Sequence, residues 1–218
     1  MARLPSRSAT RIGLQRAALA DLQPGWLSDL DAALVEKAKL SVVGRSFLSR
    51  RLAAAGTLLF TELTLDADEA QALQQDAWLL TPLAGADELL LDIGAQALAA
   101  SLRAIVVRED VLRVRRVLGE SRYRELLARQ TQPQPAMSLA LDSDEALADS
   151  LRQRGVHEIG RYAAQHLPRA LAERVQLAFD RSAAGDASPA SLPPDAVRAR
   201  LMTHRRHVAA GMLTGAAA

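Results

Sequence analysis

The chain has 218 residues, 49% of them apolar but only 3% aromatic, and it contains no cysteine. That length supports one large domain or two small ones around a core of ordinary size, and the missing cysteine excludes disulfides and thiolate metal sites. The net charge is only +2, with acidic residues spread among the basic ones, a balance unlike the clustered excess of a protein that wraps nucleic acid.

A core so poor in aromatics must be built from Leu, Ala and Val, and Ala and Leu head the helix-propensity ranking. The expected fold is all-α, an irregular multi-helix bundle. Every basic residue except Lys37 and Lys39 is arginine, a bias that accompanies the Ala/Leu richness and is compositional before it is functional. Met1 to Arg16 is basic but never develops an apolar core, so no signal peptide is expected. The most apolar run, Ala86 to Val107, still holds Asp87, Glu88, Asp92 and Arg103. It reads as a buried helix rather than a membrane span.

In chain order, the first dozen residues lack periodicity, and Gly13 to Leu22 can form a short helix. Pro24-Gly25 breaks it, and Ser28 is the expected N-cap of a helix to Lys39. Arg45 to Ala55 is helical, stopped by Gly56. Leu58 to Leu65 alternates about Glu62 and carries two threonines, so a minor strand or hairpin near 57–65 competes with a buried helical or irregular segment. Asp66-x-x-Glu69 is a capping box opening a helix through Leu73 and Leu80 that Pro82 closes. Gly85 to Asp87 restarts the chain into a long helix to Val107. Arg108-Glu109-Asp110 is a polar break, Val111 to Leu118 is helical with Gly119 as its stop, and Arg122 to Arg129 forms a further helix. Thr131 to Pro135 is a linker or long loop. Asp142-x-x-Glu145 caps a helix ending near Gly155, and Val156 to Leu167 follows. Pro168 opens a helix to Arg181, and Asp195 starts the last helix, to Ala210.

No phosphate-binding glycine loop, nucleophile elbow or His-Glu-x-x-His motif occurs in the sequence, so neither an enzyme nor a cofactor is expected. His204 and His207 are one helical turn apart, but Arg205 and Arg206 lie between them, and the pair reads as a solvated basic helix end rather than a metal site. Carboxylate pairs such as Asp66/Asp68, Asp87/Glu88 and Glu109/Asp110 fall at helix starts, where they complement the helix dipole.

The strongest basic cluster is Arg113, Arg115, Arg116, Arg122, Arg124 and Arg129. Arg113, Arg116 and Arg124 share one face if the helix continues through Gly119. Such a face can meet an acidic protein or nucleic acid, or it can be a solvated surface paired with Glu109, Asp110, Glu120 and Glu125. Tyr123 is the only interleaved aromatic, too few for a stacking platform. Trp26 either plugs the N-terminal segment onto the core or stands out as an anchor for a partner, and Trp78 reads as core. The candidate partner-binding residues are therefore Trp26, Arg113, Arg116 and Arg124.

Three stretches together resemble a known family. They are Gln23-Pro24-Gly25-Trp26-Leu27, the run from Asp92 through Arg103, Ala104–Leu112 and Arg113–Tyr123, and His166 to Leu177. They are similar to the proline–tryptophan–leucine element, the small-residue helix with its basic connector and leucine–glycine element, and the C-terminal leucine–proline helix of the SctK/YscK family. That family comprises accessory proteins of the type III secretion sorting platform. The likeness runs from Pro24 to Phe179; Ala100-Ser101 stands where the family pattern carries glycine and proline.

The resemblance implies a non-enzymatic cytoplasmic adaptor, peripheral to the inner membrane through its partners. It would link the cytoplasmic domain of the inner-membrane ring protein (SctD type) to the pod protein (SctQ type). No small-molecule substrate, cofactor, metal or membrane insertion is expected, and nucleic acid is disfavoured. The alternative is a helical nucleic-acid-binding or regulatory protein using the arginine clusters, including Arg198, Arg200, Arg205 and Arg206. The expected organisation is an N-terminal, partly flexible segment (1–22), a helical adaptor domain (23–181) with a subdivision allowed at the 131–137 loop, a flexible loop (182–194) and a C-terminal helix and tail (195–218).

Overall fold

A computed structural model describes residues 7–62, 64–83, 86–128, 139–179 and 192–215, with side chains through residue 210. Its described residues form eleven α-helices and two 3-10 turns and no strand, so the fold is all-α. The chain divides into two units that do not follow chain order. One draws on Met1–Ala84, Gly160–Ala184 and Met202–Ala218, the other on Gly85–Ile159 and Gly185–Leu201. The loop expected at 131–137 and most of that expected at 182–194 lie outside the described residues.

The first unit is organised by α1 (Arg7–Asp21), which starts six residues before Gly13. Its buried positions Arg11, Leu14, Ala17, Ala18 and Asp21 recur at helical spacing. The pattern is hidden in the sequence because two of these are charged. Arg11 is buried because its guanidinium donates to the Glu69 carboxylate at 2.8 Å and to the Leu58 carbonyl at 2.6 Å. Gln15, one turn on, donates to the Leu59 carbonyl at 2.8 Å. These bonds correct the strand alternative near 57–65. Leu58–Thr61 is a single helical turn, α4. Its first amide donates to the Glu173 carboxylate at 2.7 Å, and side chains of α1 take its carbonyls. With its polar groups satisfied by side chains, the segment needs no neighbouring strand.

Between these elements run a 3-10 turn (Pro24–Leu27), α2 (Ala32–Lys39) and α3 (Val42–Ala54). Asp31, not Ser28, is the N-cap of α2; its carboxylate accepts from the Ala33 and Leu34 amides. The capping box is present as expected, with Asp66 and Glu69 bonded reciprocally at the start of α5 (Ala67–Gln75). That helix stops before Leu80, because buried Asp76 turns out of it and accepts from the Trp78 indole at 2.9 Å and the Tyr162 hydroxyl at 2.7 Å. A second 3-10 turn, Ala77–Leu80, follows and seats Trp78 in the core at 1% exposure.

The deepest polar contact of this unit joins the end of α1 to α10 (Arg169–Gln176). Arg174 donates to the Asp21 carboxylate at 2.6 Å, and both side chains are at most 1% exposed. Arg174 also donates to the Leu79 and Thr81 carbonyls, and both Asp21 oxygens accept from the Leu83 amide at 2.8 Å.

The second unit begins with α6 (Asp87–Ala97) and α7 (Ala99–Arg103), separated at Leu98. The long helix expected to Val107 therefore ends at Arg103. Arg108-Glu109-Asp110 does not break a helix but forms the first turn of α8 (Arg108–Ala128), where the two carboxylates favour the positive helix end. Gly119 interrupts α8 with φ 75° and ψ 158°. Leu91, Leu98, Leu102, Val114, Leu118 and Leu151 belong to one apolar cluster.

The remaining long helices, α9 (Asp144–His166) and α11 (Pro194–Gly215), each contribute residues to both units. The Ser143 hydroxyl, rather than Asp142, caps α9 by accepting from the Ala146 amide. Gly155 does not end a helix but lies inside α9, opposite α6. A Cβ on Gly155 would lie 2.3 Å from the Leu90 carbonyl oxygen, and one on Gly94 would lie 1.9 Å from that of Leu151. The two contacts are reciprocal and four residues apart on each helix, so the helices cross antiparallel with a glycine under each facing carbonyl. In α11, Arg200 pairs with Asp92 and with Glu125.

Gly94→Ala or Gly155→Ala is expected to destabilise by about 1–3 kcal/mol through forced separation of the two helices. Gly160→Ala, where a Cβ meets nothing within 4 Å, should instead stabilise by about 0.5–1 kcal/mol. Urea unfolding of the three variants measures this, and equal effects at all three sites would contradict the close crossing. Asp21→Asn strands the Arg174 guanidinium in the core and should cost about 3–5 kcal/mol. The double variant Asp21→Asn/Arg174→Gln should lose less than the sum of its parts; strict additivity would show that the two groups do not interact.

Candidate partner-binding surfaces

The arginine cluster lies on α8 and is divided by the backbone turn at Gly119. Arg113 and Arg116 stand before it and Arg124 after it, so the continuous helical face that would align the three does not form. Each is instead matched by carboxylates of the same unit. Arg116 grips Asp144 with two parallel bonds of 2.9 and 2.8 Å. Arg113 reaches Asp110 at 2.6 Å, Glu109 at 3.4 Å and Asp144 at 3.5 Å. Arg124 and Arg115 share Glu120, at 3.1 and 2.7 Å, and Arg122 pairs with Glu88. The Arg115 guanidinium also lies over the Tyr123 ring, 5.7 Å from its centre.

The electrostatics follow from these pairs. The hydrogen bond from Arg116 holds Asp144 below the ordinary carboxylate value, and that from Arg115 does the same for Glu120. Exposed pairs of this kind contribute little to stability. Their effect is on recognition: a phosphate or foreign carboxylate reaching this surface has to displace a carboxylate already in place. Glu109, Asp110 and Glu120 are the partners the sequence suggested. Glu125, also suggested, pairs with Arg200, and Asp144 and Glu88 are partners the sequence did not suggest. Arg129 lies outside the described residues.

Trp26 is half-buried in its 3-10 turn, and its indole N–H donates to the Phe179 carbonyl at 2.9 Å. The Gln23 amide donates to the Leu177 carbonyl at 2.9 Å, and the Gln23 side chain reaches the Ala178 carbonyl at 3.4 Å. The Pro-Gly-Trp element thus closes the C-terminal end of α10, where helix carbonyls have no partner within the helix. Of the two roles open to Trp26, plug and anchor, the contacts are those of a plug.

The sequence missed a different feature of the second unit. Val106 and Val107, in the connector before α8, are 87% and 57% exposed, and Leu112 and Leu127 on α8 are 41% and 51% exposed. Two adjacent β-branched residues directly before the acidic first turn of α8 were the available signal.

No group of three or more His, Asp or Glu side chains among the described residues could hold a metal ion. His204, expected on a solvated helix end, is half-buried in the first unit, and its Nε2 is buried with no hydrogen-bond partner among the described residues. Burial, and after it the nearby His207, hold the imidazole below its ordinary value of 6.5, against a backbone hydrogen bond to Pro82 and the charge of Asp21.

No family model, no curated protein and no solved structure matches the chain.

Because its value is lowered by folding, His204 binds a proton more readily in the unfolded chain. Its contribution to stability is intact above the ordinary value and is lost as the pH falls below it and through the folded value. The thermal midpoint should therefore drop between about pH 7 and pH 5, and drop less in His204→Gln. Parallel melting curves for the two proteins across that interval would show that His204 carries none of the dependence.

Proposed function

We propose that the chain is a non-enzymatic adaptor of the cytoplasmic sorting platform of a bacterial type III secretion machine. It joins the cytoplasmic domain of the inner-membrane ring protein, of the SctD type, to the pod protein, of the SctQ type. The resemblance of the three stretches between Pro24 and Phe179 to the SctK/YscK family supports this reading, and the all-α fold is compatible with it.

The observation that carries it lies in the central stretch. Its connector, Ala104–Leu112, holds Val106 and Val107 in water, with Leu112 on the first turns of α8. Large aliphatic side chains exposed together mark a surface that a partner covers. The paired arginines and carboxylates of α8 flank it as the polar rim that protein interfaces carry. The same pairing argues against a role for the α8 arginines in the nucleic-acid alternative, which needs guanidiniums ready for phosphate. The work of such an adaptor is contact geometry: helices hold two surfaces in place, and no bond is made or broken.

The test is direct binding of the purified chain to the pod protein and to the ring protein's cytoplasmic domain. Val106→Asp/Leu112→Asp is expected to weaken one of the two by about tenfold or more while helicity stays unchanged. A wild-type chain that binds neither protein, or a double variant that binds both as well as the wild type, would remove the reading. Binding to duplex DNA that falls steeply with salt would favour the alternative instead.

A further inference from the structure

Among the described residues, three of the four most exposed large apolar side chains meet at one corner, and so do both lysines of the chain. The corner joins α2 to α3. Only Leu40 and Ser41 separate the two helices. The Ser41 hydroxyl accepts from the Gly44 amide at 2.9 Å, and Gly44 lies so close to α2 that a Cβ there would be 2.1 Å from the Ala38 carbonyl oxygen. Val35 and Leu48 fill the inner sides of the pair. The tight return leaves Leu40, Val42 and Val43 at the tip, 84%, 75% and 79% exposed.

The charges around this tip have one sign to spare. Glu36 is taken by Lys39 at 2.6 Å, Asp29 by Arg51, and Asp31 caps the amides of α2. Lys37 and Arg50 are exposed with no carboxylate paired to them among the described residues, and Arg45 donates to the Lys39 carbonyl. Val43, Phe47 and Arg50 follow one another along one face of α3, which sets Arg50 about 10 Å behind the tip.

A protein partner would have to set carboxylates against Lys37, Arg45 and Arg50 as well as an apolar seat under the tip. A second copy would set like charges against each other. A bilayer needs no complementary shape. Its headgroup layer is of the depth that separates the tip from Arg50, and lysine stems reach phosphates from apolar surroundings. We propose that the α2–α3 corner touches a bilayer rich in anionic lipid, with Leu40, Val42 and Val43 entering the boundary between headgroups and acyl chains and Lys37, Arg45 and Arg50 meeting the phosphates. The contact is peripheral, since no described helix is long and apolar enough to cross a membrane. It amends the expectation of no insertion at this tip alone and does not depend on the adaptor reading.

The experiment is flotation of the full chain with phosphatidylcholine vesicles, alone or containing phosphatidylglycerol. The wild type should bind the anionic vesicles about tenfold better. Leu40→Glu/Val43→Glu and Lys37→Glu/Arg50→Glu should both fall to the level seen with phosphatidylcholine. All four side chains face solvent, so circular dichroism and melting temperature should be unchanged and a loss of binding is not a loss of fold. Absence of flotation with anionic vesicles overturns the proposal, as does flotation that survives Leu40→Glu/Val43→Glu. Dimers of the wild type that dissolve in that variant, without vesicle binding, would assign the corner to a second copy. A ring or pod protein that loses only that variant, again without vesicle binding, would assign it to a protein.

Discussion

Asp21 and Arg174 are withdrawn from water together, and the first unit is arranged around making that tolerable. Removing either ion from solvent costs several kcal/mol, and burial alone lowers the affinity of Arg174 for its proton while the Asp21 charge opposes that. Position in the helix does not favour Asp21 either: it ends α1, where the helix dipole prefers a cation. What holds the pair is a set of bonds through Nε and one terminal nitrogen of Arg174 and both oxygens of Asp21. The Leu83 amide and the Leu79 and Thr81 carbonyls are all spent on it. The chain leaving the 3-10 turn, from Leu79 to Leu83, therefore has these three backbone groups satisfied without a neighbouring sheet or helix. Apolar side chains in these places could slide past each other; a carboxylate bonded to one amide and one guanidinium cannot.

The second unit relies on surface shape where the first relies on charge. Gly94 and Gly155 let α6 and α9 approach until carbonyl oxygens rest where side chains would stand. Leu91, Ala95, Leu98, Leu147 and Leu151 then close around the crossing. A chain with few aromatics has few bulky groups with which to fill wide gaps, so bringing backbones together is the available route to dense packing. The side chains that this core cannot absorb, Val106 and Val107 foremost, remain in solvent beside a rim of ion pairs.

What the sequence disclosed was what is decided within one helical turn. The Asp66/Glu69 capping box, the stops at Gly56 and Gly119, and the pairing of Arg113 with Glu109 and Asp110 all involve residues at most four apart. What it withheld was decided by distant partners. Arg11 and Arg174 look like surface residues until Glu69 and Asp21, 58 and 153 positions away, are in view. Leu58 to Thr61 has a strand's composition, but its polar groups are met by Arg11, Gln15 and Glu173. Gly155 resembles a helix stop by identity and is a contact point by location. Arg116 finds Asp144 28 residues on and Arg122 finds Glu88 34 residues back, so a solvated and paired arginine face was legible but its partners only in part. Trp26 could not be assigned until the open end of α10, more than 150 residues along the chain, lay beside it.

That separation bears on the order in which the chain can become native. The bonds from Gln23 to Leu177, Trp26 to Phe179 and Asp21 to Arg174 each close a loop of more than 150 residues. Loops of that length form late, because their entropy cost precedes the contacts that repay it. On a ribosome, α1 through the Ala77–Leu80 turn emerges well before α10 exists, and must wait for Arg174 with its apolar face uncovered. The paired glycines of α6 and α9 and the cluster around Leu118 are all encoded between residues 85 and 159. The middle of the sequence can therefore settle first, and the N-terminal helices complete their unit only after the C-terminal third has been made.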